Sequence, residues 1–494
     1  MRHLFLLLAL CGALATPAAA QPAVYPPYYS PDTVQVQQLA AAHRAAVQLA
    51  LAVPKTGSGE YRDHYRKVAR EAAAEVYNSV RYSALLDPVL NPYVQGVFQQ
   101  IVRANPQLPA ARLVLSRNPE PNAHAVGSST VLLNLGLLAR LENESQLAFV
   151  LCHELAHMQA RHMETSLREQ LTTIHGKELK RAVRRIVAEE YNIGSKLKAL
   201  ALGMSLNSTY HQRKHEKQAD SLGYVLLKRT GFEAPQAYRA LQLLDKIDEP
   251  RGETSLALAR YFGCAAFPYP LAPALPKPKS IFTVAAPAQT ALELTDTLKS
   301  HPDCGKRMGY LRALAQGQVA DGPPATPPTP AFAQMRALSQ LEVVQSWFDY
   351  DCYDHALFEA LLLLPEQPDN TYLHAVVTLS LFELHQHLLN HRFTEVVGNV
   401  SRYNPASFNQ LLTTLYAWQA ADYSGLSACF AQATATAAPA PPANEYALAA
   451  QYAAAVLAAA PAAAPLRQQY LARYQHGRFR PLLFPETPAK KSSR

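Results

Sequence analysis

Apolar positions recur at helical spacing over most of this chain, and only two short runs read as strands. Helical patterns cover Val34 to Leu51, about Tyr61 to Ser83 and about Pro92 to Ala104, with Leu86-Asp87-Pro88 breaking the last two apart. Arg112-Leu113-Val114-Leu115 and Thr130-Val131-Leu132-Leu133 are the strand candidates, and Asn122-Ala123-His124-Ala125 stands between them. Asn143 followed by Gln146 reads as a capping-box helix start. Leu147, Val150, Leu151, Leu155 and Met158 then form an apolar stripe. Helical patterns resume at about Phe332 and continue to about Tyr474. The expected fold class is α+β, mainly α: a small sheet beside helices, then a helical domain.

Residues 1–20 have the form of a signal peptide, with Arg2, an apolar run from Leu4 to Leu14, and Ala18-Ala19-Ala20 as a small-residue cleavage site. An exported chain, periplasmic or secreted, is expected. No later stretch has the length of a membrane span. Apolar residues make up 49% of the 494 and charged residues 17%, enough for a core and for two to three domains. The net charge of +8 is modest, and no zinc finger, phosphate loop or aromatic-basic pattern points to nucleic acid. The expected layout is an N-terminal extension over 21–58, a catalytic domain over 59–316, a Pro-rich linker over 317–333, a helical repeat-like domain over 334–478 and a basic tail over 479–494.

The chemistry sits in Leu151-Cys152-His153-Glu154-Leu155-Ala156-His157-Met158. Residues four apart share one face of a helix, so His153 and His157 can offer two nitrogens to one metal ion. Glu154 beside them has the place of a general base, and together this is the arrangement of a zinc hydrolase. Such sites take three protein ligands. A metzincin would have a glycine at position 160 and a histidine at 163, but Ala160 and Met163 stand there. The remaining candidates lie downstream, best in His211-Gln212-Arg213-Lys214-His215-Glu216-Lys217-Gln218-Ala219-Asp220. Glu189 and Glu190 compete less well, in basic surroundings. His211 and His215 form a second pair at the same spacing. His162 and His175 have no partner at ligand spacing and read as surface residues.

With these motifs in place, the chain resembles the HtpX-like and CAAX prenyl protease family of gluzincin metallopeptidases over roughly 60–315. Glu216 to Asp220 matches the family's Glu-x-x-Ala-Asp. The resemblance implies one zinc ion on His153, His157 and Glu216, with Asp220 orienting a ligand histidine from behind. Asn122-Ala123-His124-Ala125 and Asn134-Leu135-Gly136-Leu137-Leu138 resemble the family's edge-strand segment, which would hold a polypeptide substrate by β-augmentation. Ser300-His301-Pro302, with Arg307 following, resembles a late motif whose histidine and arginine help stabilise the transition state. The implied activity is a zinc metalloendopeptidase, with Glu154, His301 and Arg307 as its catalytic residues.

Other features suggest partners. Lys177, Lys180, Arg181, Arg184 and Arg185 alternate with apolar residues, the pattern of an amphipathic helix that could touch an anionic membrane surface. Tyr353, Ala356, Leu361, Pro365, Asn370, Tyr372 and Ala375 weakly resemble one tetratricopeptide unit, a binding surface for a protein partner. That tail supports an alternative: a latent or chaperone-like binding protein. Cys264 and Cys304 flank a proline-rich segment, and their pairing would clip it as a loop. Cys152, beside His153, reads as a packing residue.

Overall fold

The structure is a computed structural model that describes residues 33–126, 129–176, 213–246, 304–315, 327–401, 404–437 and 445–484, with a few isolated positions between them. The signal segment, most of the basic stretch 177–187, and Glu189, Glu190, His211 and His301 lie outside the described residues.

Two helices, α1 (Val34–Ala50) and α2 (Gly59–Ser83), pack on each other along their lengths. Asp87 then starts α3 (Leu90–Ala104): its carboxylate accepts from the Val89 and Leu90 amides at 2.8 and 2.7 Å. A cap of this kind is worth about 1 kcal/mol. Three strands follow rather than two: β1 (Arg112–Ser116), β2 (Ala123–Val126) and β3 (Thr130–Asn134), in the order β1-β3-β2. β1 runs parallel to β3 and β2 antiparallel. The extra strand is the Ala-His-Ala segment, which carries no apolar alternation and is recruited by pairing with β3.

The alternation of the other two strands divides the sheet. Leu113, Leu115, Val131 and Leu133 face a core built with α3 and α5 (Glu144–Gln159). Val114 and Leu132 face the opposite way, into a core with α1 and α2. The segment 34–50 is therefore a covering layer of the sheet, built in by Val36, Ala40, Val47 and Leu51. The one-turn α4 (Leu135–Leu138) leads from β3 towards α5. Asn143 caps α5 by accepting from the Gln146 amide at 3.0 Å, and Gln146 accepts from the Glu142 amide at 2.9 Å. Every residue of α5 from Ser145 to Ala156 is buried, so this helix is enclosed on all sides rather than amphipathic.

Around it lie α6 (His162–His175), a helix α7 over 213–227, α8 (Gln236–Asp245) and α9 (Cys304–Leu314). The next helix, α10 (Pro330–Asp349), opens with Thr329 as N-cap and proline in the first turn. Phe332, Met335 and Val343 belong to the core around α5, while Leu341, Val344 and Phe348 belong to the next one. A continuous helix thus joins the two units, beginning inside the stretch read as a linker. The second unit contains α11 (Tyr353–Leu363), α12 (Thr371–Leu389), α13 (Ala406–Ala417), α14 (Ala420–Ala437), α15 (Glu445–Leu457), α16 (Ala463–Arg473) and the short α17 (Arg480–Leu483). The central helix is α12, against which α11, α14 and α15 pack. Asp349 at the end of α10 ties the units together, pairing with Arg117 at 2.5 Å and with Arg478.

The disulfide corrects the sequence reading. Cys264 bonds Cys429 on α14, with Cα atoms 6.1 Å apart, and Cys304, buried at the start of α9, is not in a disulfide. The reason lies in the aromatics beside Cys264. Phe262 packs edge-on against Trp418 and Phe430, and Phe267 lies over Gly425, where any side chain would collide with its ring. That packing carries Cys264 to the helical unit and away from Cys304. Cys429→Ser is expected to lower the unfolding free energy of the oxidised protein by about 2–4 kcal/mol, read from denaturant curves. The same variant compared under reducing conditions should show no difference from the parent.

Candidate metal centre

His153 and His157 stand one turn apart on α5, and Glu216 and Asp220 one turn apart on α7. The two helices touch at Gly223: a Cβ there would sit 3.0 Å from the His153 Cα and 3.1 Å from its nitrogen. Ala219, on the same face of α7, is fully buried. These two small residues let the backbones approach, and that approach brings the carboxylates to the histidines.

The two Nε2 atoms are 3.1 Å apart. Glu216 closes the triangle, its oxygens 3.5 Å from His153 Nε2 and 3.3 Å from His157 Nε2. His153, His157 and Glu216 form the one three-residue metal-ligand group found among the described residues, their ligand atoms all within 4.8 Å of each other. Two imidazoles and a carboxylate make a donor set suited to a borderline divalent ion. Glu154 is also buried, beside His153 on α5.

Asp220 serves the back of His153, with Oδ1 3.0 Å from Nδ1. Arg307, from α9, holds Asp220 in turn: Nε donates to Oδ2 at 2.8 Å and a terminal nitrogen to Oδ1 at 2.7 Å. The other terminal nitrogen lies 3.0 Å from Glu216 Oε2. The guanidinium is therefore engaged with two carboxylates, and it is only 3% exposed. Burial alone would raise the Asp220 pKa, but the Arg307 hydrogen bonds and charge, with those of His153, hold it below its ordinary value. Burial would likewise depress His153, but its hydrogen bonds to Asp220 and Glu216 and their charges outweigh that and raise it to about 10.

His162 is not a surface residue. It is 5% exposed, with Nδ1 2.9 Å from His157 Nδ1 and Nε2 3.1 Å from Gln218 Oε1. Arg161, in the left-handed region at φ 53°, makes the turn between α5 and α6 that places it. That conformation costs a non-glycine residue about 1–2 kcal/mol. Burial pushes the His162 pKa down to about 4, so the ring is neutral. His215 stacks on His162 with ring centres 4.2 Å apart and does not join the metal-ligand group. His175 is also partnered, 3.1 Å from His64 Nδ1 and 3.4 Å from a Glu60 oxygen. Sequence spacing missed His162 because its partners lie across a turn and on another helix. The available signal was a histidine five residues after the motif.

Asn122 to Ala125 enter and form β2, the strand at the margin of the sheet, which packs against α5. Ala123 is buried, Asn122 and Ala125 are half-buried, and the His124 side chain is exposed.

A model of peptidase family M48 matches residues 88–315, the stretch that holds the sheet, α5, α7 and Arg307. This segment is a peptidase family M48 domain. Parts of the chain are also similar to curated proteins. The chain is 31% identical over 166 residues to the putative beta-barrel assembly-enhancing protease of Vibrio cholerae, covering 31% of this chain and 33% of that one. It is 29% identical over 204 residues to the mitochondrial metalloendopeptidase OMA1 of Schizosaccharomyces pombe, covering 40% and 56%. It is 40% identical over 80 residues to a protease HtpX homolog of Pelotomaculum thermopropionicum, covering 15% and 28%. The match to the first of these thus spans about a third of its length.

Two outcomes follow for the M48 domain. Asp220→Asn is expected to weaken metal binding about 10–100-fold, measured by chelator competition. In the metal-free protein the His153 pKa lies above its unfolded value, so its stabilising contribution is complete below about pH 6.5. That contribution fades as pH approaches about 10. Thermal unfolding of the metal-free chain should show this alkaline loss, and Asp220→Asn should flatten it.

Proposed function

We propose that the chain is an exported zinc-dependent endopeptidase acting on polypeptides, with zinc held by His153, His157 and Glu216. The observation that carries this reading is the convergence of those three groups from two helices, backed by Asp220. When bound, the ion supplies a Lewis acid that polarises a carbonyl and acidifies water.

The protein's own residues do the rest. Glu154 takes the proton of the attacking water and passes it to the leaving amine. Its side chain is buried beside His153. β2 lies at the sheet margin beside α5, where an added substrate strand would run past the site, so Asn122 to Ala125 are proposed to hold the substrate backbone. Arg307 is proposed to act by positioning: its contacts run to Asp220 and Glu216, which favours that role over direct contact with the substrate. The resemblance assigns transition-state stabilisation to His301, which lies outside the described residues.

The beta-barrel assembly-enhancing protease of Vibrio cholerae supports envelope polypeptides as the substrate class. Export is supported by the signal-like segment and by the Cys264–Cys429 disulfide. Among the described residues no helix is long and apolar enough to cross a membrane. The helical unit, packed on the M48 domain through α10 and Asp349, is proposed to present polypeptides or a protein partner to the site.

Purified chain should cleave an unfolded protein, and a chelator should abolish this. Glu154→Gln should keep its zinc and lose at least 100-fold in rate, the usual scale of general-base removal. A Glu154→Gln protein cleaving at the parent rate would refute the assignment.

A further inference from the structure

An imidazole holds a metal ion through Nε2 only while its proton is on Nδ1, and an acceptor behind the ring keeps it there. Behind His153 that acceptor is the Asp220 carboxylate. Behind His157 the atom in the same place is Nδ1 of His162, 2.9 Å away. We propose that His162 is a positioning residue that fixes the tautomer and ring orientation of His157, as Asp220 does for His153.

The donor and acceptor assignments follow from the contacts. A neutral imidazole has one donor and one acceptor nitrogen. His162 Nε2–H donates to Gln218 Oε1 at 3.1 Å, which leaves Nδ1 as the acceptor facing His157. His157 Nδ1–H donates to it, and His157 Nε2 keeps its lone pair on the side of Glu216. The reverse assignment would put the proton on His157 Nε2, pointing at the carboxylate and closing that nitrogen to a metal.

The ring is held from several sides. His215 stacks on it at 4.2 Å with planes 11° apart, and Ser166 Oγ lies 3.3 Å from His215 Nδ1. Arg161 turns the chain through a left-handed residue so that α6 begins beneath His157. Gln218 and His215 belong to α7, the helix that supplies Glu216. Docking of α7 therefore delivers the third ligand and, through Gln218 and His162, sets the proton position of the second.

This inference rests on the zinc site proposed above. The test is zinc affinity by competition with a fluorescent chelator, together with the visible spectrum of the cobalt(II)-loaded protein and thermal unfolding of the metal-free protein. His162→Leu fills the volume but offers no acceptor. His162→Asn offers Oδ1 near the place of Nδ1. We expect His162→Leu to bind zinc about 10–100-fold more weakly. Its cobalt spectrum should be altered, while the metal-free protein still unfolds in one cooperative transition. His162→Asn should stay within about threefold of the parent, with the parent spectrum, since it restores the acceptor. Parent-like affinity in His162→Leu, or equal losses in both variants, would overturn the proposal. A parent chain that binds no zinc would instead remove the site reading beneath it, which separates the two failures.

Discussion

The contact on which the site depends is the close approach of α5 and α7 at Gly223. Two helices separated by ordinary apolar side chains lie 8–10 Å apart. At that spacing with larger residues, Glu216 would fall short of the two Nε2 atoms and Asp220 short of His153. Gly223 and Ala219 keep the backbones close, which brings Glu216 and Asp220 within reach of the histidines. The sheet, α3 and α8 hold α5 in place and make its burial complete.

Such a site gathers several titratable groups where water is scarce. Burying an isolated charge costs several kcal/mol, and only close pairing offsets it. The arrangement meets this by alternating signs. Arg307 lies between Asp220 and Glu216, and Asp220 lies between Arg307 and His153. His162 extends the network in neutral form on the far side, against His157. Asp220 is thus kept ionised and aimed at His153, and the two Nε2 atoms face Glu216. Arg307 comes from α9, late in the M48 domain, so the centre is completed only when distant parts of that domain have folded.

How much of this was legible in the sequence varied with the range of the interaction. The His153 and His157 pair on α5 could be read because its logic is helical spacing, whereas the roles of Glu216 and Asp220 on α7 came from the resemblance to the family's Glu-x-x-Ala-Asp. Strands β1 and β3 were legible from apolar runs that fill both faces of a covered sheet. β2 was legible only through the resemblance to the family's edge-strand segment, because Ala-His-Ala has no strand signature of its own and becomes a strand by pairing. His162 was unreadable for a related reason: its partners are His157 across a left-handed turn and Gln218 on another helix. Cys264 was matched to the wrong cysteine because proximity along the chain said nothing of Phe262 and Phe267 docking on the helical unit. Arg307, which the family resemblance places near substrate, contacts the Asp220 and Glu216 carboxylates.

The central claim is a zinc ion held by three named groups, and anomalous X-ray scattering at the zinc edge from crystals of the zinc-loaded protein tests it most directly. The account predicts one strong peak at full occupancy, about 2.0–2.2 Å from Nε2 of His153, Nε2 of His157 and a Glu216 oxygen. A peak ligated by other residues, or one that leaves Glu216 out of the coordination shell, would contradict it.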